Sequence, residues 1–107
     1  NAVEKKTNFS EKVFTDAINS GKTVVVNSYE VWCGTCGQQT KILHQAEKEF
    51  KDIVFLSYEQ SKNKDVAQLL RIKFWTTIVV YKGNNEVARV VGQTDKKIIY
   101  AAIIKGI

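Results

Sequence analysis

The sequence predicts an α/β fold: a central mixed sheet of four to five strands flanked by helices on both faces. Two observations carry this. Thr23 to Tyr29 is a short β-branched run with few polar interruptions, which suits a strand buried on both sides. Around it, helix-period and strand-period segments alternate in the order αβαβαββα, and Gly83-Asn84-Asn85 supplies turn chemistry for a closing antiparallel hairpin. With 107 residues and no repeat, linker or low-complexity run, residues 1–107 read as one domain.

Each element follows from local pattern. Phe9, Val13, Phe14, Ala17 and Ile18 recur at helical spacing, with Asn8 or Ser10 to cap the start and Ser20-Gly21 to end the helix. A small extra strand is expected before Phe9. Gln38 to Phe50 places Ile42, Leu43, Ala46 and Phe50 on one stripe of an amphipathic helix. Ile53 to Tyr58 reads as a strand and Asp65 to Ile72 as a short helix carrying Val66, Leu69 and Leu70. Thr77 to Tyr81 and Glu86 to Val91 are the hairpin strands, the second ended by Gly92. A last helix, Asp95 to Ile104, turns Ile98, Ile99, Ala102 and Ile103 inward.

The chemistry is concentrated in Trp32-Cys33-Gly34-Thr35-Cys36, which holds both cysteines at the junction of the buried strand and the second helix. Thiols three positions apart can close a small disulfide ring without moving the rest of the fold. The helix start offers free backbone N–H groups and partial positive charge, which favour a thiolate, the species that attacks disulfides. Cys33, first and more exposed, is the expected nucleophile, and Cys36, a turn further in, the resolving thiol. An inert structural disulfide rarely closes so short a loop. Zinc needs about four ligands, and the single histidine, His44, lies on the following helix where a solvent-facing position is expected.

Composition bounds the alternatives. No apolar run approaches the roughly 18 residues of a membrane span. The net charge of +5 is spread along the chain rather than clustered, so a solvated surface is expected and no nucleic-acid partner. Prolines are absent, where average usage would give about five. The first residue is Asn1. Asn1-Ala2 reads as a cloning remnant, or the start was lost with a signal peptide or anchor, which tilts the expectation towards an exported protein over a cytoplasmic one.

The element order, the motif Trp32-Cys33-Gly34-x-Cys36, the preceding Val24-Val25-Val26, and Tyr81-Lys82-Gly83-Asn84 with Glu86 together resemble the thioredoxin family over essentially the whole chain; Val91-Gly92 matches the family's Val-Gly at the substrate groove. The resemblance implies thiol–disulfide exchange on protein disulfides. Electrons would come from a thioredoxin reductase or a membrane thiol carrier, with no bound organic cofactor and a monomer as the working unit. It also implies a groove of Trp32, Gly34, Thr35, Trp75, Thr76 and Gly92 that receives a client's extended segment. Gly92 keeps the groove floor free of a side chain. Trp75 has a second reading, as filler of core volume, and Tyr29, Phe55, Phe74 and Tyr81 are expected to pack rather than to act.

Three departures from the family pattern mark the site. Thr35 replaces the usual proline between the cysteines, which should move the reduction potential away from the most reducing values. Thr76 stands where the family has its cis-proline. A cis bond without proline costs about 2.5–4 kcal/mol, so Trp75–Thr76 is expected to be trans. Asn27 and Ser57 stand where the family has a buried aspartate and its lysine, and an amide cannot accept the proton of Cys36 as a carboxylate can. Water is then the default acceptor, with Glu30 and Glu59 nearest in sequence. The expected activity is reduction of protein disulfides, slower and at a somewhat more oxidising potential than in a housekeeping thioredoxin. Two other readings stay open: a scaffold module with little turnover, and a dimer that ligates an iron–sulfur cluster through Cys33 and Cys36, since the proline that blocks such ligation is absent.

Overall fold

The computed structural model describes residues 6–107 and has the expected order of elements. Helix α1 (Glu11–Asn19) starts at Ser10, whose Oγ accepts the Val13 N–H at 3.0 Å. Strand β1 (Thr23–Tyr29) is followed by helix α2 (Gly34–Glu49) and strand β2 (Val54–Glu59). A 3-10 turn (Gln60–Lys62) leads to helix α3 (Lys64–Leu69), then strands β3 (Thr77–Lys82) and β4 (Asn85–Val91) and helix α4 (Lys96–Ile104), capped by Asp95. Residues 6–10 form no strand; the rest of the expected extra strand falls outside the described residues.

The sheet order is β2-β1-β3-β4. Strand β1 pairs parallel with β2 and antiparallel with β3, and β3 pairs antiparallel with β4. Val24, Val25 and Val26 are almost wholly enclosed because β1 has a neighbour on each side and helices over each face. The period-2 alternation divides its side chains between two cores. Val24 and Val26 pack with Phe14, Ala17, Leu56, Tyr58 and Val79 under α1 and α3. Val25 packs with Leu43, Ala46, Ile78, Ile99 and Ile103 under α2 and α4. Asn27 and Tyr29 share the parity of Val25, which turns them towards the helix that carries the cysteines.

Ile98, expected inward, is not, and two other apolar residues at helical spacing also lie outside the core. Val13, Leu69 and Ile98 are exposed, each on the outward edge of its helix, while Phe14, Leu70 and Ile99 beside them are buried. Helix α2 also begins four residues earlier than Gln38, at Gly34. Its first turn has no apolar stripe, and Cys33 starts it instead of a usual capping side chain.

Candidate active site

Cys33 and Cys36 are joined as a disulfide with Cα atoms 5.3 Å apart, at the point where β1 hands over to α2. Cys33 is the N-cap of α2, and its Sγ accepts the Cys36 N–H at 3.1 Å. That backbone donor at a helix start stabilises negative charge on the same sulfur once the bond is reduced. Cys33 keeps 7% of its surface accessible and Cys36 none. The order of exposure is the expected one, although the first cysteine is itself largely covered. Tyr29 packs against both cysteines and forms the floor of the site.

Around the disulfide the surface is apolar. Trp32 is 67% exposed and meets Trp75 edge-on, ring centroids 5.1 Å apart at 75°. Trp75, 37% exposed, does not fill the core, and the core-filler reading is set aside. Phe74 is 61% exposed, contrary to the expectation that it packs; it belongs to the loop before β3 rather than to a strand or helix. Tyr29 and Tyr81 are buried as expected, and Phe55 is partly so. Gly34 is the first residue of α2 and leaves open space where a Cβ would stand. Thr35 is half-buried between the cysteines.

The Thr76 segment is held differently from a proline loop. Among the described residues there is no cis peptide bond, so Trp75–Thr76 is trans, as expected. Thr76 has φ +67°, in the left-handed region that a β-branched residue rarely adopts. Its N–H donates to the Ser28 carbonyl at 2.9 Å, and its hydroxyl bonds the Trp75 carbonyl. Its own carbonyl accepts the Gly92 N–H at 2.9 Å and the Gln39 Nε2 at 3.0 Å. Gly92, at φ +71°, takes a conformation glycine adopts without penalty, and a Cβ there would meet nothing within 4 Å. What calls for glycine at this position is therefore the backbone conformation.

Behind the cysteines, Asn27 lies opposite Ser57 in the β1–β2 register. The two line a cleft of about 330 Å³ together with Tyr29, Thr40, His44 and Glu47. Asn27 is 8% exposed and opens onto this cleft. The Thr40 hydroxyl on the opposite wall donates to the Cys36 carbonyl at 2.8 Å. Ser57 is committed elsewhere: its hydroxyl donates to the Lys6 carbonyl, and its backbone N–H donates to Asn8 Oδ1 at 2.6 Å, fastening the N-terminal segment to β2. His44 is exposed on α2 as expected. Glu30, one of the two acids nearest the motif, is buried and accepts both the Ser61 N–H at 2.7 Å and the Ser61 hydroxyl at 3.0 Å. Glu59, the other, is buried beside Lys62, 4.0 Å away.

The sequence reading missed Gln39. It sits three residues after Cys36 on the buried face of α2 and is fully enclosed, its Nε2 bridging the Thr76 and Gln93 carbonyls, each at 3.0 Å. The signal was present: a polar residue on the same stripe as Leu43 and Ala46 must have found partners inside.

A mixed sheet with a closed C-x-x-C pair at a helix start defines a thiol–disulfide oxidoreductase. The thioredoxin family model matches residues 2–105, and the chain belongs to the thioredoxin family. It is 33% identical over 84 residues to Thioredoxin-2 of Saccharomyces cerevisiae, covering 78% of this chain and 81% of that protein. It is 32% identical over 96 residues to the thioredoxin of Chlamydia pneumoniae, covering 90% and 93%. Among solved structures, Trxlp from Edwardsiella tarda EIB202 superposes with a TM-score of 0.85 at 26% identity, over 89% of this chain and 94% of that one.

Proposed function

We propose that this protein reduces disulfides in protein clients, with Cys33 as the attacking sulfur and Cys36 as the resolving one. The single observation behind this reading is the Cys36 N–H donated to Cys33 Sγ at the start of α2, with Cys36 itself enclosed. Cys33 is thereby the sulfur both electrostatically favoured as a thiolate and closer to solvent.

In the forward direction the Cys33 thiolate attacks one sulfur of the client. The client S–S bond breaks, a Cys33–client mixed disulfide forms, and the released client sulfur takes up a proton. Cys36 then gives its proton to water and attacks Cys33 Sγ. The Cys33–Cys36 bond forms and the second client thiolate leaves. Two electrons have passed to the client, and a reductase or a membrane thiol carrier must return them. Trp32, Gly34, Thr35, Trp75, Thr76 and Gly92 form the groove for the client segment. Both cysteines come from one chain, so a monomer suffices.

Insulin reduction by the dithiol form, together with trapping by Cys36→Ser, tests this reading. Turnover by the parent and an accumulating mixed disulfide on Cys33 are expected. A parent that reduces nothing and a variant that traps no client would leave a scaffold module instead. Equilibration of the pair against glutathione fixes the direction: a value near about −270 mV is that of a reductase, and one near about −180 to −120 mV that of an isomerase or oxidant.

A further inference from the structure

We propose that Gln39 is a positioning residue of the client groove: its buried carboxamide holds the Trp75–Thr76 segment against the helix that carries the cysteines. The proposal rests on the reading of that segment as part of the groove.

Three facts converge on it. Thr76 occupies a left-handed conformation, φ +67°, which a threonine does not keep by local preference and which must therefore be imposed by its surroundings. The imposed bonds come from three directions: Ser28 of β1 receives the Thr76 N–H, while the Thr76 carbonyl receives Gly92 N–H from beyond β4 and Gln39 Nε2 from α2. Of these, Gln39 alone joins the segment to the cysteine helix through a side chain, and the same Nε2 also fastens Gln93, so one amide ties both loops beside the site.

The remaining atom of that amide rules out a simpler role. Gln39 Oε1 is buried and has no hydrogen bond among the described residues. A leucine or methionine of similar size would remove this unsatisfied acceptor and extend the surrounding apolar stripe, so glutamine is a poor choice for packing alone. Its orientation is fixed, because turning the amide over would set Oε1 against two carbonyl oxygens.

What Gln39 contributes is therefore placement. Bringing a client disulfide onto Cys33 requires the main chain at Thr76 to be where the client's extended segment lies, and loss of such placement appears as a rate loss. Small disulfides that engage the sulfurs without the groove should feel it less.

The pre-reduced protein and its Gln39→Leu variant are each mixed with insulin and, separately, with cystine, and the second-order rate constants are measured. The expected result is a loss toward insulin that exceeds the loss toward cystine by about fivefold. Equal losses toward both disulfides, or none, overturn the proposal. A parent that reacts with neither disulfide removes the exchange reading itself, and the proposal falls with it. Should the variant not fold, the parent gives the answer by NMR: the Gln39 Nε2 protons should exchange with water at least about tenfold more slowly than those of exposed Gln38 and Gln45. Exchange at the same rate as those two overturns it.

Discussion

The indole of Trp32 stands edge-on to that of Trp75, ring centroids 5.1 Å apart, and so links the cysteine loop to the loop before β3. Both rings are partly in solvent, so the pair is an apolar wall rather than core. Val31 and Phe74, each next in sequence to one of the two rings, are exposed as well, whereas both cysteines are largely covered.

Replacing either tryptophan should therefore weaken client capture more than folding. Trp75→Ala is expected to raise KM for a protein disulfide several-fold and leave kcat within about twofold. The two rings support one another, so the Trp32→Ala and Trp75→Ala losses should not add. A double-mutant cycle on kcat/KM is expected to give a coupling of about 0.5–1.5 kcal/mol. Independent effects would mean that the edge-on contact contributes nothing to client binding.

Alkaline stability should be limited by two core tyrosines. Burial, as the leading cause, pushes the phenols of Tyr58 and Tyr81 up to about 12, and the Glu86 carboxylate further opposes ionisation of Tyr81. In the unfolded chain both ionise near about pH 10. The unfolded state thus loses protons first, and stability present below about pH 10 falls as the pH rises towards 12, by up to about 2 kcal/mol per tyrosine. Urea midpoints between pH 9 and 11.5 should show this decline, and Tyr58→Phe should flatten it.

Arg89 holds together a corner far from the cysteines. Its guanidinium meets Glu86 through Nε and Nη2 at 2.9 Å each, and also donates to the Leu70 and Arg71 carbonyls at 2.9 Å. The Glu86 carboxyl is held below its ordinary range chiefly by the Arg89 hydrogen bond. The ion pair is partly solvated and contributes little by itself, but the carbonyls at the end of α3 lose their donors when it goes. Arg89→Ala should cost about 1–2 kcal/mol in urea unfolding. Arg89→Lys should recover less than half, because an ammonium cannot reproduce the planar fork.

How much of this was legible in the sequence depended on how local its cause is. Thr23 to Tyr29 gave the strand bounds to the residue because the β-branched run Thr23 to Val26 opens it and few polar residues interrupt it. Helix α2 was placed late because Gly34, Thr35 and Gly37 carry no helical signal; the turn is fixed by Cys33 capping it, a contact between neighbours that periodicity does not register. Ile98 was expected inward, and Val13 and Leu69 share the helical spacing of buried neighbours, because an apolar residue at the edge of a stripe looks like one at its centre. Phe74 and Gln39 were misread or missed for the opposite reason. Their surroundings are set by segments that meet only in the folded chain: the exposure of Phe74 leaves no mark in its sequence neighbours, and the stripe with Leu43 and Ala46 shows that Gln39 is buried but not what it binds.

Asn27 offers a direct test of proton transfer from Cys36. It opens onto the cleft behind the cysteines, where the family pattern has a carboxylate. Asn27→Asp should accelerate release of the client from the mixed disulfide by up to about tenfold above neutral pH, measured by rapid mixing. The same change should lower stability there, since a position only 8% exposed disfavours the charged form and raises the carboxyl's pKa above the unfolded value. The sign follows from that shift: melting at about pH 4 should match the parent, and the deficit should grow as pH rises through the range between the two values. An unchanged release rate would make Asn27 structural only.

Restoring the family's proline at Thr76 should harm this protein. The Thr76 N–H donates to the Ser28 carbonyl at 2.9 Å, and proline has no such donor. The backbone stands at φ +67°, whereas the proline ring holds φ near about −65°. Thr76→Pro must therefore break the tie to β1 and rebuild the loop, which in turn displaces the carbonyl that Gly92 and Gln39 hold. A loss of about 3 kcal/mol or more in urea unfolding is expected. Thr76→Gly, which adopts φ +67° freely, should stay within about 1 kcal/mol of the parent. If the proline variant were the more stable of the two, the left-handed Thr76 and its bond to Ser28 could not be what fixes this loop.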